Sequence, residues 1–153
     1  MNIWEASREG NIDRVRQLLL SGQDVNRKEK DEDFTALSCA SREGHLELAK
    51  FLIKKGADPS NGCAALSAAC RGGHSEIAKF LLDNGADVNE QSGVHRLTPL
   101  HETCLSGNIE TLEILLNAGA DVNNEYCLGN TPICCANRKN NINIVKRLIK
   151  AGS

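Results

Sequence analysis

The sequence predicts an all-α solenoid of stacked helix-turn-helix units. The chain of 153 residues contains five similar segments, and in each one a helical pattern ends at a glycine. The spacing of these glycines is 34, 29, 34 and 33 residues, at Gly22, Gly56, Gly85, Gly119 and Gly152. Hydrophobic residues make up 41% of the chain but aromatic residues only 3%, which suits thin layers of helix better than a deep globular core.

Each segment is predicted to open with a short first helix. Thr98-Pro99 starts it in the fourth segment and Thr131-Pro132 in the fifth, because proline fits an early helical position where no N–H partner exists. A glycine in the left-handed conformation is predicted to end this helix. The glycines concerned are Gly10, Gly44, Gly73 and Gly107. Asn140 takes this position in the fifth segment, and asparagine tolerates the same conformation.

The second helix of each segment is predicted to be amphipathic. Leu48, Phe51 and Leu52 follow the i, i+3, i+4 spacing of one helical face. A stretch such as Gly-Ala-Asp-Val-Asn then closes the helix and leads into an extended turn.

These motifs resemble those of the ankyrin-repeat family, and the resemblance covers essentially the whole chain. The matching residues are TPLH at 98–101, GH at 44–45 and 73–74, and GADVN at 85–89 and 119–123. The resemblance implies one domain, 1–153, with units of about 1–26, 27–60, 61–89, 90–123 and 124–153. It also implies a curved stack with β-hairpin fingers along one edge. The third unit has a shortened finger, with a tight turn expected at Asn61-Gly62.

Charge and hydropathy exclude several classes of protein. A net charge of −2 gives no electrostatic case for binding nucleic acid or a membrane surface. No segment approaches the roughly 18 apolar residues of a membrane span, and the N-terminus lacks the basic and apolar regions of a secretory signal. We therefore expect the chain to be located in the cytoplasm or nucleus, and we also expect a monomer.

The seven cysteines do not follow a metal-binding or redox pattern. No CxxC pair is present, so the spacing of zinc ribbons and thioredoxins is missing. Cys70 and Cys104 are equivalent in adjacent units, but stacked helices lie about 8–10 Å apart and a disulfide needs Cα atoms within about 7 Å. We expect reduced thiols, no metal and no cofactor.

The histidines have a structural interpretation beside a catalytic one. His101, with Glu102 and Cys104, has the residue types of a catalytic or metal cluster, but the resemblance assigns His101 to the TPLH turn. His45 and His74 open second helices and receive the same structural interpretation. No nucleophile–base pair or phosphate-binding loop is present, and the family unit carries no catalytic residues, so we do not expect an enzyme.

The resemblance places partner contacts on the concave face, where the fingers meet the ends of the first helices. Arginine occupies one equivalent position there in four units, and Leu105 replaces it in the fourth. Arg8 and Arg42 each precede a glutamate, whereas Arg71 and Arg138 have no acid beside them in the sequence. The residues predicted to contact a partner are Arg71, Val94, His95, Leu97, Leu105, Tyr126, Leu128 and Arg138. The alternatives are that the arginines are merely solvated and that the apolar residues pack along the finger row.

Three asparagines lie eight residues after a leucine: Asn26, Asn89 and Asn123. In this family such asparagines can be substrates of an asparaginyl hydroxylase. The structural alternative is that each side chain supports its turn.

Together these features predict a non-catalytic module that binds another protein or an extended peptide, as an adaptor or recognition domain. Two alternatives remain open. The chain could inhibit a partner enzyme, as the small kinase inhibitors of the family do, or form the substrate-recognition part of a ubiquitin ligase.

Overall fold

The structure, a computed structural model, describes residues 1–30, 33–61 and 64–153, and these ranges contain ten α-helices in five pairs. The first helices are α1 (Ile3–Arg8), α3 (Ala36–Glu43), α5 (Ala65–Gly72), α7 (Pro99–Ser106) and α9 (Pro132–Arg138). The second helices are α2 (Ile12–Leu20), α4 (Leu46–Lys54), α6 (Ser75–Asp83), α8 (Ile109–Asn117) and α10 (Ile142–Lys150). One pair lies in each predicted unit, and the predicted all-α repeat architecture is confirmed.

The first helices begin and end as their sequences require. Thr35 and Thr98 each form a reciprocal capping box with the residue three positions later, which satisfies backbone N–H groups that have no partner in the helix. Gly44 ends α3 with φ of 86°, a conformation that a side chain would disfavour. Asn140 has φ of 55°, so the expected left-handed turn after α9 is confirmed.

The core runs through the stack as two rows of helices. First helices pack on first helices from α1 to α9, and second helices pack in the same order from α4 to α10. Alanine at Ala40, Ala69 and Ala136 is fully buried, which lets neighbouring first helices approach closely. Leucines fill the space between the rows, and the fully buried ones include Leu37, Leu52, Leu66, Leu81, Leu100, Leu112, Leu115 and Leu148.

A side chain at the start of each later second helix reaches back to the preceding unit. It hydrogen-bonds a carbonyl near the end of that unit's first helix, where carbonyls have no partner within the helix. The pairs are His45 Nε2 with Arg8 O (2.8 Å), His74 Nε2 with Arg42 O (3.0 Å), Asn108 Nδ2 with Gly73 O (3.0 Å) and Asn141 Nδ2 with Cys104 O (2.9 Å). The structural role predicted for His45 and His74 is confirmed. We call this set the back-bonding ladder.

The fingers are smaller than full hairpins in the described ranges. Single antiparallel bridges join Ser92 to Leu97 and Tyr126 to Asn130. Left-handed residues turn the chain at the tips, including Arg96 and Leu128. In the shortened third finger the Asn61 N–H bonds the Asp58 carbonyl at 3.3 Å. Gly62, the second residue of the turn expected there, lies outside the described residues.

The described cysteines are free thiols in two environments. Four are buried, namely Cys39, Cys70, Cys104 and Cys135, and two are exposed, namely Cys127 and Cys134. Burial raises the pKa of the Cys70 and Cys104 thiols to about 12, so both stay protonated and unreactive at neutral pH. Cys63 lies outside the described residues, and its predicted reduced state stays a prediction.

No helix in the described part of the chain combines the length and apolar character that a membrane crossing requires.

Candidate protein-interaction groove

An open groove runs across the ends of α5, α7 and α9. Its lining residues come from three successive units and from the fourth finger, and they are Arg71, Leu97, Glu102, Leu105, Ser106, Arg138 and Lys139. We call this surface the first-helix groove. It brings together four of the eight residues predicted to contact a partner, namely Arg71, Leu97, Leu105 and Arg138.

Arg71 is held by a carboxylate of the next unit. Its Nε donates to Glu102 Oε2 at 3.1 Å and its Nη2 donates to Glu102 Oε1 at 2.5 Å. The Glu102 side chain is only 4% exposed, whereas that of Arg71 is 46% exposed. Arg71 has no acid beside it in the sequence, but the inference that it is therefore left unpaired for an acidic partner is wrong. The stack places Glu102 against Arg71 although the two residues are 31 positions apart.

The packing of the stack also determines which acid pairs with Arg8. Its Nη2 donates to Glu29 Oε2 at 2.7 Å, so the acid that pairs with it comes from the first finger and is not its neighbour Glu9. The guanidinium also lies 6.0 Å from the centre of the Phe34 ring. At both arginines the acidic partner is set by the packing of the stack and not by adjacency in the sequence.

Arg138 and Lys139 supply the uncompensated charge of the groove. Arg138 Nη2 donates to the neutral Asn130 Oδ1 at 3.1 Å, which leaves its charge in place. Within the described ranges, neither Arg138 nor Lys139 forms an ion pair with a carboxylate. Since Arg71 and Glu102 neutralise each other, the groove keeps two positive charges at its fifth-unit end.

Leu105 provides an apolar surface in the same groove as these charges. It is half-buried, and its inner side packs against the core while its outer side lines the groove. Leu97, also half-buried, lies beside it at the base of the fourth finger. The groove therefore combines an apolar floor with cations at two positions on its rim, a combination typical of interface centres.

The finger tips do not join this groove. Val94 is 94% exposed, Leu128 is 102% exposed, and His95 is also exposed. The expected cluster of these three residues around Leu105 is not formed, because the left-handed turns carry the tips out into solvent. The two fingers do meet each other, where Cys127 Sγ lies 3.7 Å from the His95 carbonyl oxygen.

His101 is a structural residue, as predicted. It is fully buried, and its Nδ1 accepts from the Thr98 N–H at 3.3 Å while Nε2 donates to the Asn130 carbonyl at 3.3 Å. This pattern requires the neutral imidazole with its proton on Nε2. The Tyr126 ring packs edge-on against it, with centroids 4.9 Å apart, and Tyr126 thereby anchors the fifth finger.

Stability is expected to fall in mild acid because of His101. Burial lowers the pKa of His101, so the unfolded chain binds the proton more tightly than the folded one. The contribution of His101 to the free energy of unfolding is therefore fully present above the pKa that the histidine has in the unfolded chain, about 6.5. It declines as the pH drops below that value. Between pH 7.5 and 5.5 the loss from this group is up to about 1.4 kcal/mol.

Urea unfolding of the wild type and of His101→Gln at both pH values measures this effect. The wild type should lose more stability than the variant, which cannot titrate at that position. His95→Gln, at an exposed finger tip, should behave like the wild type. Equal losses in the wild type and His101→Gln would contradict the assignment.

Asn26, Asn89 and Asn123 bridge successive units. Asn26 Nδ2 donates to the Gly56 carbonyl at 3.0 Å and its Oδ1 accepts from the Asp58 N–H at 2.8 Å. Asn89 and Asn123 bond Gly119 and Gly152 in the same way, at 3.4 and 3.3 Å. Each side chain thus bonds the next unit, whereas the structural alternative placed its support within its own turn. Their hydroxylation stays a prediction.

The described residues do not contain a group of three His, Cys, Asp or Glu side chains placed to hold a metal ion. The predicted contact residues did not include three members of the first-helix groove, Glu102, Ser106 and Lys139. Glu102 lies one turn before Leu105 on α7, and Leu105 is the counterpart of Arg71 in the preceding unit, but these equivalences do not show that Glu102 faces Arg71.

The comparisons with known proteins agree with this architecture. The family model for ankyrin repeats (3 copies) matches residues 3–92 and 89–153. The ankyrin repeat and KH domain-containing protein mask-1 of Caenorhabditis elegans is 44% identical over 57 residues, covering 37% of this chain and 2% of that protein. Human ankyrin repeat domain-containing protein 39 is 36% identical over 55 residues, covering 36% of this chain and 30% of that protein. Human DNA-binding protein RFXANK is 32% identical over 59 residues, covering 39% of this chain and 23% of that protein. The matches thus span less than a third of each relative's length.

Proposed function

The chain belongs to the ankyrin-repeat family, and on that premise we propose that it is an adaptor or recognition module that binds a partner protein in its first-helix groove. Ankyrin repeats generally mediate protein–protein interaction and are generally non-catalytic. The partner segment lies across the third to fifth units, over Arg71, Leu105, Tyr126 and Arg138.

One observation supports this placement above the others. Leu105 lines a groove at a position where the other four units carry arginine, and the neighbouring cations, Arg138 and Lys139, lack carboxylate partners in the described ranges. An apolar side chain of the partner covers Leu105 and Leu97, and its acidic residues meet the two cations. The segment is therefore acidic with an apolar anchor.

The finger tips extend this surface in the proposal. Val94, His95 and Leu128 are exposed at the finger tips, outside the groove, and Leu128 has φ of 65°, which leucine rarely adopts. A backbone held in that conformation presents an apolar side chain to solvent, which supports a contact with the partner. These contacts lie at the rim, so each contributes less than Leu105.

The biological setting is part of the proposal. The chain acts as a monomer in the cytoplasm or nucleus, where the reducing environment keeps its thiols free. The partner is a protein or an extended peptide and not a nucleic acid, since the chain carries a net charge of −2.

The test is capture of the partner by the wild-type chain and by a charge-reversed variant, Arg138→Glu/Lys139→Glu, followed by mass spectrometry. Proteins that bind the wild type are then purified for titration calorimetry against both chains. We expect the affinity of the wild type to fall with rising salt and the variant to lose most of that dependence, because the cations steer association. Equal affinity and equal salt dependence would rule out this groove.

The same purified partner distinguishes the finer roles. A partner kinase that loses activity when the chain binds identifies an inhibitor. Co-capture of ubiquitin-ligase subunits, together with ubiquitin transfer to the partner, identifies a substrate-recognition subunit. A partner that is bound without either effect identifies an adaptor.

A further inference from the structure

A second groove lies between the second helices α2 and α4, in the first two units. Its apolar lining consists of Leu19, Leu20, Val25 and Phe51, and its rim carries Arg16 and Lys55. These residues lie in the first two units, whereas the first-helix groove is formed by the third to fifth. The second groove has a volume of about 260 Å³. An engineered cavity of roughly 150 Å³ holds benzene, so there is room for one large apolar side chain.

Leu20 is the residue that departs from the repeat. The equivalent position in the other units is polar or charged, with Lys54, Asp83, Asn117 and Lys150. Leu20 is 81% exposed, so it contributes little to the core of this chain. Only the first unit places a large apolar side chain there, and that unit borders the groove.

Two cations are fixed at the rim by the ring of Phe51. The Arg16 guanidinium carbon lies 5.5 Å and Lys55 Nζ lies 5.7 Å from the ring centre, which are cation–π distances. Arg16 also pairs with Asp13 at 3.1 Å, but the Asp13 side chain is 85% exposed and such a surface pair is easily exchanged. The described lining of the groove contains no carboxylate.

The surface around the second groove is positively charged, like the rim itself. Helices α2 and α4, with Lys55 after α4, carry five cations and two carboxylates, although the whole chain has a net charge of −2. A basic surface on an acidic chain concentrates acidic partners locally.

We propose that the groove between α2 and α4, which we call the second-helix groove, is a docking site for an acidic peptide segment bearing a Leu or Phe anchor. The anchor packs between Leu20 and the Phe51 ring. Carboxylates on either side of it meet Arg16 and Lys55. The site is separate from the first-helix groove, so one chain can hold two acidic segments at once.

The experiment is a titration of the full, isotope-labelled chain with synthetic peptides, followed by NMR of the backbone amides. One short peptide contains glutamates around one Leu and one Phe. A second has glutamine for every glutamate, and a third has serine for Leu and Phe. We expect only the first peptide to shift the amides of Leu20, Val25 and Lys55.

Two variants test the site itself. Leu20→Ser removes the apolar contact and Lys55→Glu reverses one rim charge. Each is expected to lower the affinity for the first peptide by about tenfold. Lys150→Ser changes the equivalent exposed position of the fifth unit and should bind like the wild type. Circular dichroism confirms that all three variants remain folded.

Several results would overturn the proposal. They are equal binding of the glutamine peptide, unchanged binding by Leu20→Ser, and shifts confined to residues of the first-helix groove. Vesicles of phosphatidylserine and phosphatidylcholine are the remaining probe. If they shift these amides while the first peptide does not, the surface binds anionic lipid and the proposed peptide site is wrong.

Discussion

Leu105→Glu is expected to abolish binding of the captured partner. The substitution replaces the apolar floor of the first-helix groove with a carboxylate that binding would have to bury. The new carboxylate also lines the groove together with Arg138 and Lys139 and competes with the acidic groups of the partner for these two cations. We expect a loss of at least about 2 kcal/mol, roughly 30-fold in affinity, by titration calorimetry.

Two further variants separate loss of contact from loss of folding. Leu105→Ser removes the apolar contact without adding charge and should weaken binding by a smaller factor. Arg8→Ala lies at the other end of the stack, where Arg8 is bonded to Glu29, and should bind normally. If Leu105→Glu is folded by circular dichroism and binds normally while Arg8→Ala is damaging, the partner occupies the first units.

Gly72→Ala should have a large effect on stability, and its sign is opposite to that expected from helix propensity. Gly72 lies in the last turn of α5, where alanine would ordinarily stabilise a helix by up to about 1 kcal/mol. A Cβ at this position overlaps the Arg42 carbonyl oxygen and lies 2.6 Å from Cδ2 of His74. It therefore disrupts the His74–Arg42 hydrogen bond of the back-bonding ladder.

The net result should be a destabilisation of about 2 kcal/mol, because overpacking costs about 1–3 kcal/mol and the lost hydrogen bond about 1 kcal/mol more. For a chain of this size the melting temperature falls by roughly 6 °C. Ser106→Ala, at the equivalent position of α7, is the matched control and should change stability by less than about 0.5 kcal/mol. A melting temperature for Gly72→Ala at or above that of the wild type would contradict this prediction. It would show that the second and third units shift apart to accommodate the new Cβ without losing stability.

The features that repeat along the chain could be predicted from the sequence. Helix starts at Thr98 and Thr131 and the left-handed turn at Asn140 depend on interactions within a few residues, and local patterns report such interactions directly. The structural role of His101 was also predictable, because the TPLH motif recurs with a known turn. Leu105 could be singled out because it breaks a repeated pattern.

What could not be predicted depends on register between units. Arg71 meets Glu102 only because α5 and α7 pack side by side, and no pattern of adjacent residues reveals that contact. The positions of Val94 and Leu128 likewise depend on the direction of the finger turns. Sequence alignment of the units shows which positions are equivalent but not which side chains of neighbouring units face each other.

The back-bonding ladder has a consequence for synthesis of the chain on the ribosome. Every donor belongs to the unit made after the one that supplies its acceptor carbonyl. At about 5–20 residues per second, a unit of about 33 residues takes roughly 2–7 seconds to follow its predecessor. During that interval the end of the preceding first helix lacks its partner. The carbonyl at the end of each first helix therefore gains its hydrogen bond only when the next unit has been made. Translational pauses between units prolong the stage in which that bond is missing.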